Sequence, residues 1–265
     1  NQNYRQDGST IDCEWYNSAL VDERRRLISV LSLVQDVTER KALERLKDEL
    51  VSTVSHELRT PLASLRGFAE LMLTRDFSPK QQREFLTIIH NESKRLADLI
   101  NDFLDLARIE AGRQEYHFTS LDLLSLVSET VAIFQANSNG IALHLLKEPA
   151  PPLVYADADR LRQVLLNLLS NAVKFSPHGG EITIGTRQEG ADVAVWIRDQ
   201  GIGIAPDVLP KLFTKFFRAD NKETHKIGGT GLGLTLSRQI AQKLGGDLRL
   251  TESVPGRGSV MCCTW

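Results

Sequence analysis

The spacing of hydrophobic positions divides the chain into stretches of different period. Over the first 37 residues it fits extended strands. Residues 10–20 and 26–37 are rich in Ile, Val, Tyr and Trp, and Asp22-Glu23-Arg24-Arg25 turns between them. Asp7-Gly8 marks a further turn. Two or three strands bury too little surface to stand alone, so this segment is expected to need more sheet upstream or a partner chain. From Thr38 the period becomes helical: Leu43, Leu46, Leu50, Val54, Leu58, Leu62 and Leu65 recur at threes and fours, and the helix is expected to run to about residue 73. Pro61 removes one backbone donor inside it and is expected to bend it. Ser78 followed by Pro79 reads as the cap and first position of a second helix, expected to stop at Gly112. Two long helices joined by a short loop make an antiparallel hairpin. Its apolar stripe is half uncovered in one copy, which calls for two hairpins pairing into a four-helix bundle.

Beyond a connector at residues 113–120, helical and extended patterns alternate. Helices are expected at 121–137, 157–175, 206–217 and 230–244. Strands are expected at 141–147, 153–156, 181–187, 192–199, 248–252 and 259–265, with turns at Glu189-Gly190 and Pro255-Gly256. The expected fold is therefore multidomain: a short N-terminal β segment, a helical hairpin forming a dimeric four-helix bundle, and an α+β sandwich.

Composition narrows the classes. The chain has 265 residues, 42% hydrophobic and 25% charged, which suits two or more globular units. A formal net charge of −2 gives no electrostatic reason to expect nucleic acid or an anionic membrane surface. Three cysteines, Cys13, Cys262 and Cys263, form neither a disulfide framework nor a zinc spacing, which fits a reducing, cytoplasmic setting. The run at 27–34 is too short to span a bilayer, and no signal peptide is expected from the residues given. The first residue is Asn1 rather than Met, so the chain reads as a fragment whose upstream sensor or membrane tether is missing.

Four stretches carry candidate chemistry. His56 lies roughly 200° around the helix from both Val54 and Leu58, away from the stripe; Glu57 is its neighbour and Thr60 follows one turn later. Taken alone, such a pair reads as a solvated helix face. Asn167, Asn171 and Lys174 share a face of the 157–175 helix; amide oxygens suit a hard cation and an ammonium suits phosphate, although a plain wet face fits as well. Asp199-Gln200-Gly201-Ile202-Gly203 follows a strand, where a carboxylate could accept from an exocyclic amine and two glycines let backbone approach a ring; a simple turn competes. Gly228-Gly229-Thr230-Gly231-Leu232-Gly233 opens a helix and offers N–H donors to phosphates, yet it fits neither the P-loop nor the dinucleotide fingerprint. Between the last two lie Phe213 to Arg218 and a polar segment at 219–227 that reads as a lid.

Together these stretches make the chain resemble a sensor histidine kinase of two-component signalling. The likeness spans 38–265: an H box around His56, an N box from Asn167, a first G box at Asp199 to Gly203, an F box at Phe213 to Arg218 and a second G box at Gly229 to Gly233. Residues 1–37 resemble the end of a PAS sensor domain, and 38–112 the signalling helix and phosphotransfer hairpin. Residues 113–120 would be the linker and 121–265 the catalytic domain, of GHKL (Bergerat) type. The resemblance implies that His56 accepts phosphate, Glu57 polarises its ring and Thr60 positions water for a phosphatase reaction on the partner. It further implies that ATP is held by Asn167, Asn171, Lys174, Asp199, Gly201, Gly203, Gly229, Thr230, Gly231, Leu232 and Gly233, with Mg2+ on Asn171 and Arg218 near the γ-phosphate. Thr214, where acidic residues are common, and the closing Met261 to Trp265 depart from the family pattern without touching this chemistry.

The implied partners are a second copy of the chain and a response-regulator receiver domain, with neither nucleic acid nor direct membrane contact. Two other classes fit less of the sequence. A chaperone-like or mismatch-repair-like GHKL ATPase would have no use for the H box, and a degenerate scaffold would not keep every polar group. His90, His117, His144, His178 and His225 are scattered and read as structural or solvated, and Cys262 and Cys263 as packing.

Overall fold

The structure is a computed structural model that describes residues 2–135, 141–146, 152–190, 192–219 and 229–265, with backbone alone at 43, 45–47, 49 and 50. It forms two compact units, residues 1–60 and 61–265.

In the first unit β1 (Gln2–Tyr4), β2 (Thr10–Val21) and β3 (Leu27–Asp36) pair antiparallel in that order; the sequence pattern had not marked β1. The β2–β3 turn is held by Asp22, whose Oδ1 accepts from the N–H groups of Arg24 and Arg26 at 2.9 and 2.7 Å. Little is buried here: Asp12, Cys13 and Val37 are, whereas all of β3 is exposed. Polar bonds join sheet to helix. Asp12 N–H donates to Thr38 Oγ1 at 2.9 Å, Val37 N–H to the Asp12 carbonyl at 2.9 Å, and Arg40 pairs with Glu14. Helix α1 (Thr38–Thr74) starts at this joint and stays helical through Pro61.

The second unit contains the end of α1, the helix α2 (Pro79–Glu110) and the sandwich. Ser78 caps α2 in a capping box with Gln81, and Ala111 closes it before Gly112 at φ +64°. Phe85 of α2 meets Phe68 of α1 and Phe77 of the loop at ring distances of 5.3 and 4.8 Å. The apolar positions of α2 divide. Leu99 and Leu106 are buried together with Ile109, while Leu86, Ile100 and Leu104 stay exposed.

The sandwich carries a five-stranded mixed sheet, β5 (Ile141–Leu146), β7 (Gly180–Glu189), β8 (Asp192–Asp199), β10 (Gly258–Thr264) and β9 (Asp247–Val254), in that spatial order. β5 runs parallel to β7 and the other pairs are antiparallel. Helices α3 (Leu123–Gln135), α4 (Ala158–Lys174) and α5 (Gly233–Lys243) pack on it. Leu161, Leu165 and Leu169 of α4, Ile182 and Ile184 of β7 and Ile240 of α5 are almost wholly buried, as their 3.6- and 2-residue periods require. Cys262 and Cys263 are both free and buried, as the packing reading expected.

Three expected elements differ. Residues 206–217 are not an α-helix: a single 3-10 turn, Leu209–Lys211, stands there. Pro206 and Pro210 supply no N–H, the bonds that do form span three residues, and Phe216 sits at φ +59°, outside any right-handed helix. The helix expected from 230 begins at Gly233, because Gly231 takes φ +70°. Within the connector, β4 (Thr119–Leu121) pairs with β6 (Val154–Ala156). The ends of the expected 121–137 helix and 141–147 strand lie outside the described residues.

Candidate functional site

His56 projects from α1 as its helical phase requires, with 76% of its side chain exposed, and the flanking Val54 and Leu58 are partly covered. Glu57 Oε1 lies 3.9 Å from His56 Nδ1, within ion-pair range but beyond hydrogen-bond reach. Thr60 Oγ1 faces the His56 carbonyl at 3.4 Å, a long back-bond within the helix, and remains exposed. The side chains of Leu43, Leu46 and Leu50, part of the expected dimer stripe, lie outside the described residues.

Asp199 closes β8 with 9% of its surface exposed. Its Oδ1 accepts from Gly201 N–H at 2.9 Å and Ser259 N–H at 3.3 Å. The second oxygen makes no hydrogen bond among the described residues. Burial pushes its pKa up, and the backbone donors only partly oppose this. The result is a fixed, desolvated acceptor with an oxygen to spare. The glycines after it serve the loop itself. A Cβ on Gly201 would fall onto the Phe175 carbonyl, and one on Gly203 (φ +67°) onto the Val254 carbonyl. Close approach to neighbouring backbone requires glycine at both. Gly258 and Ser259 were missed from the sequence. Gly258, at φ +96°, runs against the Asp199 carbonyl, and Ser259 supplies one of its donors.

On α4, Asn167, Asn171 and Lys174 share the expected face. Asn167 has another partner: its Nδ2 donates to Ser237 Oγ at 2.8 Å, and Gly233 leaves room for its Oδ1, which ties α4 to the start of α5. Asn171 and Lys174 have no side-chain hydrogen bond among the described residues. A neutral amide oxygen suits Mg2+, which takes one or two protein oxygens and fills the rest with phosphate and water.

The glycine loop precedes α5. Leu232 caps that helix without a side-chain bond, so first-turn N–H groups point out of its positive end. Gly231 is pressed against Phe216 backbone, which couples the loop to the aromatic segment, while a Cβ on Gly229 would meet no atom of the described residues within 4 Å. Arg218 is exposed just beyond that segment. Gly228, His225 and the lid expected at 219–227, apart from Ala219, lie outside the described residues.

The sandwich sits on α2 through carboxylates that the sequence pattern did not single out. Asp102 Oδ2 accepts from Thr230 Oγ1 at 3.0 Å. Asp105 Oδ2 accepts from Arg160 and Gln163 at 3.1 and 2.9 Å, and Glu110 Oε1 meets Lys215 Nζ at 2.6 Å and Gln239 at 3.2 Å. In sequence they look like the solvated side of a helix. The connector is not slack along its whole length: His117 N–H donates to Asp157 Oδ2 at 2.8 Å, and Tyr116 and Phe118 pack against the core.

Residues 46–112 match the His Kinase A (phospho-acceptor) domain, and residues 156–265 the histidine kinase-, DNA gyrase B- and HSP90-like ATPase family. The sensor histidine kinase WalK of Bacillus subtilis is 31% identical over 255 residues, covering 93% of this chain and 41% of WalK. The sensor-like histidine kinase SenX3 of Mycolicibacterium smegmatis is 33% identical over 241 residues, covering 91% of this chain and 62% of SenX3. This chain thus spans less than two thirds of either relative. Among solved structures, histidine kinase ThkA in complex with response regulator protein TrrA aligns at a TM-score of 0.68 and 25% identity, over 99% of this chain and 77% of that one. Acinetobacter baumannii histidine kinase AdeS aligns at 0.63 and 25% identity, over 79% and 96%. No helix among the described residues is long and apolar enough to cross a membrane.

Proposed function

Because the chain belongs to the sensor histidine kinases of two-component systems, we propose that it is an ATP-dependent kinase that phosphorylates its own His56 and passes the phosphoryl group to an aspartate of a response-regulator receiver domain. The observation that carries this reading is His56 itself: an exposed imidazole on a helix face, with a carboxylate at 3.9 Å, inside the segment that matches the phospho-acceptor domain.

The adenine amine would donate to the spare oxygen of Asp199, whose other oxygen is already fixed by Gly201 and Ser259. Gly229, Thr230, Gly231, Leu232 and Gly233 would present backbone and hydroxyl donors to the phosphates at the positive end of α5. Lys174 would add its charge, and Asn167 would act as a positioning residue that holds α4 against α5. The amide oxygen of Asn171 would hold Mg2+, whose charge, when bound, offsets that of the phosphates. Arg218 would meet the γ-phosphate.

A neutral imidazole near pH 7 keeps one unprotonated nitrogen, and that nitrogen would attack the γ-phosphorus. A P–N bond forms as the bond to the bridging oxygen breaks, ADP leaves, and Glu57 draws the proton on the other ring nitrogen. Aligning the donor and acceptor accounts for most of the remaining rate. In a separate hydrolytic reaction, Thr60 would hold a water against the acyl phosphate of the regulator, releasing inorganic phosphate and giving a phosphatase activity. Residues 1–37 would be the end of a PAS-like sensor, 38–112 the signalling and phosphotransfer helices, 113–120 the linker and 121–265 the catalytic domain, in a homodimer. ThkA, crystallised with a response regulator, supports the choice of partner.

Incubation with γ-labelled ATP, followed by acid and base treatment, tests the proposal. Wild type should carry an acid-labile, base-stable label, and His56→Gln should lose it while still binding nucleotide. Label that persists on the variant assigns the acceptor elsewhere.

A further inference from the structure

The glycine loop is closed on itself and on α2. Thr230 Oγ1 gives its proton to Asp102 Oδ2 at 3.0 Å, and the same oxygen accepts from Leu232 N–H at 3.2 Å. A hydroxyl donor and a backbone donor just ahead of α5 are thereby both engaged. The group at the end of this chain of bonds is a carboxylate, which resembles a phosphate oxygen in charge and in accepting hydrogen bonds. Asp102 lies in the second helix of the hairpin, 128 residues before Thr230. It is partly buried, and desolvation raises its pKa; the Thr230 bond and Lys174 oppose this, and Asp98 and Asp105 add to it. Asp105 and Glu110 also hold the sandwich to α2, but they bind Arg160, Gln163, Lys215 and Gln239, not the loop.

We infer that Asp102 is a built-in competitor for the phosphates of the nucleotide: its carboxylate holds the Thr230 hydroxyl that a phosphate would take, so docking of α2 on the loop and capture of the phosphates exclude one another. The inference rests on the proposed reading of this loop as the phosphate site. One hydroxyl has one proton to give, and two anions brought to it repel each other in a partly desolvated site. Linkage makes the effect reciprocal. A triphosphate loosens α2 from the loop, and whatever presses α2 onto the loop lowers affinity for the triphosphate. The nucleoside end of the ligand, held at Asp199, is indifferent to both.

Calorimetric titration of the whole chain with Mg-ATP and with adenosine, in wild type and three variants, tests this. Asp102→Ala should tighten Mg-ATP binding about tenfold, within the usual range of such couplings, and leave adenosine affinity within about twofold. Asp102→Asn, which keeps the shape and removes the charge, should also tighten ATP and guards against a fold defect in the alanine variant. Asp105→Ala removes a docking contact without touching the loop and should change the ATP-to-adenosine ratio little. An unchanged ratio in both Asp102 variants overturns the inference, and so does an equal gain in Asp105→Ala, which would mean general undocking. If no variant and not even wild type binds ATP or adenosine, the nucleotide reading falls first and takes the inference with it.

Discussion

At the scale of single residues, Asp199 shows function set against stability. Its carboxylate is buried with one oxygen unengaged among the described residues, and burial raises its pKa. The folded chain therefore binds this proton more readily than the unfolded chain, whose value is near 3.8. Its contribution to stability is complete below that value and is lost as pH rises through the higher folded value. Asp199→Asn keeps both acceptor contacts of Oδ1 and removes the buried charge. It should weaken ATP binding by about 1–3 kcal/mol, the usual cost of spoiling a charged hydrogen bond. The same substitution should raise the melting temperature at pH 7, with the gain shrinking toward pH 4. Melting curves at the two pH values and nucleotide titration read both effects. A variant that is less stable at pH 7 would assign the carboxylate a structural role.

At the scale of elements, α1 carries two roles on one exposed face. His56 and Thr60 are one turn apart and both exposed, and Pro61 follows without ending the helix. Autophosphorylation needs the ring and a base, whereas dephosphorylation of a partner needs a held water and no phosphohistidine. Thr60→Ala should leave labelling of His56 nearly normal and slow release of phosphate from a phosphorylated receiver domain about tenfold or more. The bond from Thr60 to the His56 carbonyl is long at 3.4 Å, so the hydroxyl can exchange it for water at little cost. Equal loss of both reactions would make that back-bond the residue's main role.

At the scale of the whole molecule, the hairpin leaves apolar surface that one chain does not cover. Ile100 and Leu104 of α2 are 43% and 46% exposed although Leu99, Leu106 and Ile109 of the same helix are buried. Pairing of two hairpins into a four-helix bundle would bury them. Light scattering should therefore give about twice the 29.6 kDa chain mass. Leu104→Glu, which puts a charge on that face, should shift the chain toward monomer while ATP binding persists. A wild-type monomer at micromolar concentration contradicts the packing argument.

Much of this was legible along the chain because local physics settles it. The helical period of α1 and α2, the Ser78-Pro79 start and the Gly112 stop depend on neighbours within a turn, and they came out where expected. The exposure of His56 followed from its phase against Val54 and Leu58, and the place of Asp199 at a strand end ahead of a glycine-bearing turn from the strand pattern and the two glycines. Other features were decided only by chain brought from far away. The aromatic segment at 206–217 has a helical-looking pattern, but prolines and the press of Phe216 against Gly231 hold it open. The bond from Asn167 to Ser237, 70 residues on, forms only because folding sets α5 beside α4. Asp102, Asp105 and Glu110 read as solvated helix because nothing near them in sequence says what lies opposite. Their partners are 55 to 129 residues away, and a carboxylate takes its role from the donor that folding sets against it.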